Sequence, residues 1–325
     1  RDPLFLASLT IANQDADFAG DLCLRCHMPN GWLEGRSTPT DGSLMSGTDL
    51  EGLNCNLCHR MVDPDHTPGV DPAVDAQILA DLTDVPLAPH SGHFVIDPLD
   101  RRRGPFDLGS FNRHEWLESP FHASSRMCAT CHDVSNPVFE RQPDGSYMPG
   151  VLGQRAASDN PYDQFPVERT YSEWLASDFA QGPIEMGGRF GGNITAVSSC
   201  QDCHMPDGTG KGARQGELRT NLPTHHLHGG NTWMLQAIRN LYPDAETGLS
   251  DQLVADAVAR TEALLAAAAD LTLTQADADL TVRVTNYSGH KLPSGYPEGR
   301  RMWIHVWFYD ASDTEIAECG AFDEA

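Results

Sequence analysis

Positive charge is scarce in this sequence. Its 325 residues carry 22 Lys plus Arg against 46 Asp plus Glu, a formal net charge of −24. Binding to nucleic acid draws on a basic surface that releases counterions, and docking on an anionic membrane makes the same demand. The composition therefore argues against both. Long apolar runs are missing too. The most apolar stretch, around Ala263 to Leu273, is broken by Asp270 and falls far short of the roughly 20 residues of a spanning helix. No membrane span is expected. The chain opens on neither Met nor an apolar leader, so the expectation is that a signal peptide has been removed. The length allows one large domain or two ordinary ones.

Cysteine, by contrast, is present in one insistent pattern. Eight of the nine cysteines form four C-x-x-C pairs, and His follows each pair: Cys23/Cys26/His27, Cys55/Cys58/His59, Cys128/Cys131/His132 and Cys200/Cys203/His204. This is the attachment signature of c-type heme. Two thiols three residues apart can each bond to one vinyl group of a porphyrin, and the adjoining imidazole then lies under the iron as proximal ligand. Zinc ribbons also pair C-x-x-C knuckles but do not require His after each one. A redox dithiol needs a strand–helix context that these flanks lack. With 14 His in 325 residues, four in four trials is not an accident of composition. The expected cofactor is heme c, four groups covalently attached. That consumes eight cysteines and leaves Cys319 as a free or buried thiol, or as one half of an intermolecular disulfide.

Porphyrins are large apolar discs, so a chain that holds four needs less side-chain core than its length suggests. Stretches rich in Gly, Pro, Asp and Ser (Pro39 to Leu50, Asp63 to Asp75, Gln142 to Pro161) read as loops. Without heme the chain is expected to be largely unfolded. Composition shifts near residue 250. Residues 1–249 hold all four motifs. Ser250 to Ala269 reads as a helix capped by Ser250, with Val254, Val258, Leu265 and Ala268 in an apolar stripe. Residues 250–270 then connect to a segment, 271–325, with the period of strands. Leu271, Leu273, Leu280, Val282 and Val284 alternate with polar residues. Arg301 to Asp310 reads as a strong strand, with Ile304, Val306 and Phe308 on one face. Three or four strands are too few to close a sandwich, so an incomplete antiparallel β-domain is expected, one that a partner could complete.

Ten histidines lie outside the motifs, at 66, 90, 93, 114, 122, 225, 226, 228, 290 and 305. Met28 and Met205, each next to a proximal His, cannot reach the opposite face of the same heme and are expected to pack against it. His114 and His122 differ by eight residues, about two helical turns, so they could share one helix face. The dense basic runs Arg101–Arg103 and Arg300–Arg301 are expected to pair with heme propionates, because Arg forks match carboxylates.

Several blocks resemble multiheme c-type cytochromes. One is Ser119-Pro120-Phe121-His122-Ala123-Ser124-Ser125, running into Cys128–His132 and Asp133-Val134-Ser135-Asn136-Pro137, with Arg102–Phe106 and His114 before it. A second is His225-His226-Leu227-His228-Gly229-Gly230-Asn231, similar to an H-x-L-x-G-G-N element. A third is Gly289-His290-Lys291-Leu292-Pro293-Ser294-Gly295, similar to a G-H-K-x-P-[ST]-G loop at the rim of a β-domain. The resemblance implies a multiheme cytochrome c fold, mostly irregular with short α-helices, followed by a helix and a partial antiparallel β-domain. It also implies His27, His59, His132 and His204 as proximal ligands, with His114, His122, His225 and His290 as the distal set. Within 225–228 the motif favours His225, with His226 and His228 as alternatives; His90 and His93 stand in reserve. His122 is too close in sequence to Cys128 to serve that heme comfortably and is expected at another.

The expected function is electron transfer by bis-His hemes acting as a relay in respiratory or extracellular transport, in the periplasm or at the cell surface. Redox proteins are its expected partners, and a homo-oligomer, filament or larger cytochrome complex its expected setting. The alternative is an oxidoreductase acting on a small nitrogen or sulfur compound at one open heme. No C-x-x-C-K motif is present, and abundant His argues for capped irons.

Overall fold

The computed structural model describes the chain except for residues 1, 87, 110–113, 152, 153, 155, 156, 159, 296–299 and 323–325. Its helices are mostly short, and several start at a residue whose side chain caps them. Asp2 opens α1 (Pro3–Asp15) by accepting the backbone N–H of Leu4 at 2.8 Å and of Phe5 at 3.0 Å, with Pro3 at the first helical position. Next come α2 (Gly20–His27), α3 (Pro29–Leu33), α4 (Cys55–Cys58), α5 (Ala73–Ala80), α6 (Ser125–His132), α7 (Thr170–Leu175), α8 (Cys200–His204), α9 (Met234–Leu241), α10 (Asp244–Thr247) and α11 (Asp251–Ala267).

Residues 1–249 also carry strand pairs that the expectation of irregular structure with short helices did not include. β1 (Met61–Val62) pairs with β2 (Val95–Ile96), and β3 (Arg101–Gly104) runs parallel to β4 (Glu115–Glu118). β5 (Val134–Arg141) lies between β6 (Tyr147–Pro149) and β7 (Gln164–Glu168), both antiparallel to it. β8 (Ile184–Glu185) pairs with β9 (Ala196–Val197), and β10 (Asp207–Lys211) with β11 (Leu218–Pro223). Most of these strands are too short to show an alternating pattern. β4 also corrects the helical placement of His114 and His122: an extended strand and the Ser119-Pro120 step separate them, so they share no helix face.

The β-segment is antiparallel as expected but forms two separate hairpins. β12 (Ala269–Ala276) pairs with β13 (Asp279–Asn286) and sets Leu271 opposite Val284 and Leu273 opposite Val282. β14 (Val306–Tyr309) pairs with β15 (Glu315–Cys319). The strand expected over 301–310 is thus confined to four residues. The ladder ends at the Val306–Cys319 pair; Gly320, at φ +83°, follows it, and Trp303 Nε1 donates to the Gly320 carbonyl at 3.1 Å in place of a ladder bond. Cys319 is an exposed free thiol on β15. α11 is capped by Ser250, which accepts from the N–H of Leu253 at 3.2 Å. Its inward stripe is Val254, Thr261, Leu264 and Ala268. Leu265 faces outward; the polar Thr261 in the stripe hides its phase from a count of apolar residues.

Apolar packing is split among small clusters rather than gathered in one core. One holds Phe5, Leu9, Leu24, Met28 and Met45 beside Cys23; a second holds Val62, Ile78 and Val95; a third holds Phe179, Phe190 and Val197 against Cys203 and Leu264. Met28 is buried in the first of these clusters.

The Arg101–Arg103 run is engaged by carboxylates of the chain itself. Arg103 is fully buried and pairs with Asp75 and Asp97; Arg101 also pairs with Asp97, at 2.8 Å, and Arg102 with Asp100 at 2.8 Å. Arg300 donates to the Gly230 carbonyl at 2.9 Å. The aspartates that claim Arg103 lie up to 28 residues away, beyond the reach of local pattern. Arg103→Ala would strand the buried Asp75 carboxylate and leave Asp97 to Arg101 alone, and breaking a buried pair in this way costs about 3–5 kcal/mol. The expected outcome is a variant that melts far below the parent in a calorimetric scan; an unchanged melt would show that the network contributes little.

Candidate metal centres

Each C-x-x-C-H motif is built as one helical turn. Asn54 caps α4 by accepting from the N–H of Asn56 and Leu57 at 3.0 and 3.1 Å. Ser124 caps α6 by accepting from Arg126, and Ser199 caps α8 in a reciprocal box with Asp202. Positions i, i+3 and i+4 of a helix share one face, so each turn presents two thiols and an imidazole on the same side. All nine cysteines are free thiols, which a disulfide framework would not leave. Among the described residues, no three or more His, Cys, Asp or Glu side chains are grouped to cage a metal ion by themselves. A porphyrin, which brings its own four nitrogens, asks the chain for only the two thiols and the axial imidazoles that a motif can offer.

The imidazoles are oriented through Nδ1. His59 Nδ1 lies 2.6 Å from the Arg103 carbonyl, His204 Nδ1 lies 2.7 Å from the His228 carbonyl, and His132 Nδ1 lies 2.8 Å from Glu168 Oε1. An imidazole that donates from Nδ1 keeps the Nε2 lone pair for a metal, and such partners fix tautomer and ring plane in metal sites. His27 instead stacks on Phe5, ring centres 4.2 Å apart. Burial pushes the His27 and His204 imidazoles below their ordinary pKa, whereas the Glu168 carboxylate raises that of His132.

The candidate distal histidines are distributed unevenly. His290 faces His204 with ring centres 6.4 Å apart and planes within 14°. His122 and His225 both face His59, at 5.9 Å and 6.0 Å. With metal–imidazole bonds of about 2.0 Å, two imidazoles on opposite sides of one metal have ring centres roughly 6 Å apart, so all three pairs have the spacing of axial ligands. His122 thus lies against motif 2, not the neighbouring motif 3. Its Nε2 donates to the Cys58 carbonyl at 2.8 Å, its Nδ1 is buried without a partner, and burial pushes its pKa down to about 4. Within the 225–228 cluster, His225 is the residue that reaches a motif histidine; His228 contributes its carbonyl to His204. His114 stands near Asp100 and forms no ring pair with a motif histidine among the described residues.

His290 is held by its loop. Its Nδ1 lies 2.9 Å from the Lys291 carbonyl, while Lys291 N–H and Ser294 Oγ both donate to Glu173 on α7, at 3.0 and 2.8 Å. His90, a reserve candidate, is buried; its Nδ1 lacks a partner, and burial brings its pKa to about 4. Its loop docks on α6 through Gly92 N–H to the Thr130 carbonyl (2.7 Å) and Ser91 N–H to the Asp133 carbonyl (2.9 Å). Gly92, at φ +70°, abuts motif 1: a Cβ there would stand 2.8 Å from Arg25 Cβ and 3.2 Å from Cys26 Sγ.

α6 is the meeting point of the four motifs. Motif 1 reaches it across Gly92. Motif 2 reaches it through His122, which leads into α6 and bonds Cys58. Motif 4 reaches it directly, with Cys200 N–H donating to Ser125 Oγ at 3.1 Å and Gln201 Nε2 to the Ser124 carbonyl at 2.8 Å. The Cys26 and Cys131 thiols lie within interaction range, as do those of Cys128 and Cys200. Sequence reasoning did not find Glu168 or the carbonyls of Arg103 and His228. They are remote in the chain or act through backbone atoms, and neither carries a local signal. No helix is long and apolar enough to cross a membrane among the described residues. The chain matches no family model, no curated protein and no solved structure.

Proposed function

We propose that this chain is an electron-transfer protein in which four covalently attached c-type hemes, each capped by two imidazoles, form a relay. The observation that carries the reading is the pairing of His204 with His290, and of His59 with His122 or His225, at the spacing of axial ligands, in a chain with four C-x-x-C-H turns. The hemes supply one-electron chemistry between ferric and ferrous iron. The chain's own contribution is rigidity. The carbonyls of Arg103, His228 and Lys291 lock the tautomers and ring planes, and a ligand set that does not change with oxidation state favours transfer over bond-making. Because α6 touches the other three motif regions, motif 3 is the junction of the relay. Donor and acceptor are redox proteins of the periplasm or cell surface, where hemes are attached to such motifs, and a filament or larger cytochrome complex is a fitting setting.

Three results are expected. Reductive titration should be broad, because neighbouring hemes interact and the macroscopic steps belong to the set. Nitrite, hydroxylamine and sulfite should not be turned over faster than by free heme, since an iron with two imidazoles has no vacant position. With the chain's formal charge of −24, a cationic redox partner should react faster at low salt than at high salt. Steady-state turnover of one of these compounds at about 10 per second or more, an ordinary enzyme rate, would replace the relay with the oxidoreductase reading.

A further inference from the structure

The four motif histidines do not share one kind of support. His59 and His204 are bonded to neutral backbone carbonyls and His27 rests on a phenyl ring, whereas His132 is bonded to a carboxylate, Glu168 Oε1, at 2.8 Å. Among the described residues no carboxylate is hydrogen-bonded to His27, His59 or His204. The contact is built by the sheet. The β5–β7 register sets Val134 opposite Glu168, which brings the last residue of β7 alongside the end of motif 3. The carboxylate is also fixed from the other side. Thr170 Oγ1 stands 3.3 Å from the same oxygen and 2.7 Å from Ser294 Oγ, in the loop that presents His290 to His204. Glu168 is therefore placed by a ladder and a side-chain network, with its negative charge on the back of one imidazole.

A carboxylate on Nδ1 pulls the proton away from the ring and makes Nε2 a stronger donor, where a carbonyl does so only weakly. A more basic axial ligand, with a negative charge behind it, stabilises the ferric state more than the ferrous state and lowers the reduction potential. We infer that Glu168 is a positioning residue that makes the motif-3 heme the lowest-potential site of the four. This rests on the relay proposed above and adds a regulatory element to it. The junction through which the other motifs communicate is then the step that is uphill to reduce. Electrons rest on the outer motifs and cross between them only by thermal excursion through motif 3.

The test is a spectroelectrochemical titration of the heme-loaded protein beside Glu168→Gln and Glu168→Asp. Glu168→Gln keeps shape and removes charge. At the potential where the lowest step of the parent is half complete, it is expected to raise the reduced-to-oxidised ratio of one heme on the order of tenfold, which for one electron is about 59 mV. The remaining steps should stay in place, and Glu168→Asp should keep the order of the parent. The low-spin EPR signal of one iron should change with the step that moves. A Glu168→Gln titration that superimposes on the parent, or in which a higher step moves instead, overturns the inference. Loss of a heme from both variants would also overturn it, by assigning Glu168 a structural role. The underlying reading fails by a different observation: a parent protein whose intact mass lacks covalently bound heme.

Discussion

Replacing both Cys128 and Cys131 with alanine is expected to remove one heme and with it most of the folded protein. α6 meets motif 2 through His122, motif 4 through Ser124 and Ser125, and motif 1 through the loop at Gly92. The remaining core is thin: the buried apolar clusters hold only three to five buried residues each. A heme is larger than a Trp side chain, whose removal from a core already costs about 3–5 kcal/mol. Domains of this kind are stable by only about 5–15 kcal/mol. The same pair of substitutions at Cys55 and Cys58, in the single turn of α4, should cost one heme while leaving more of the fold. Circular dichroism melts and heme-to-protein ratios of the two double variants decide the matter. Equal stability for both would remove α6 from its place at the junction.

His290→Ala is expected to leave the fold intact and to change one iron completely. The side chain projects from a loop anchored by Lys291 and Ser294 to Glu173, and those anchors do not involve the imidazole. Its ring faces His204 at 6.4 Å. Without it, one heme should pass from low spin to high spin and bind cyanide, while the other three remain low-spin and unreactive. A parent-like spectrum for this variant would remove His290 from the ligand set and leave His204 in need of another partner.

What could be seen from the sequence is what lies within a turn of helix. The four motifs, the Ser250 cap of α11 and the alternation of Leu271 to Val284 are all local, and each stands where the pattern placed it. Contacts made across the chain left no trace. Arg103 reads as part of an Arg triplet set aside for propionates until Asp75 and Asp97 are seen to close over it. β7 reads as part of nothing in particular until its register with β5 delivers Glu168 to His132. His114 and His122 look alike as flanking histidines, yet only His122 is carried by the Pro120 turn onto His59. The choice of His225 within 225–228 followed from resemblance, and its ring is the one that lies against a motif histidine. That both His122 and His225 face His59 was not foreseen, since sequence spacing says nothing about two approaches to one ring.

The central claim is that eight of these nine cysteines hold heme. Intact-mass spectrometry of the purified protein, before and after acid–acetone extraction, tests it most directly. The expected mass exceeds the polypeptide by four hemes and is unchanged by extraction, because thioether bonds do not release the porphyrin. Colour that passes into the acetone, or a mass equal to the polypeptide alone, would contradict it.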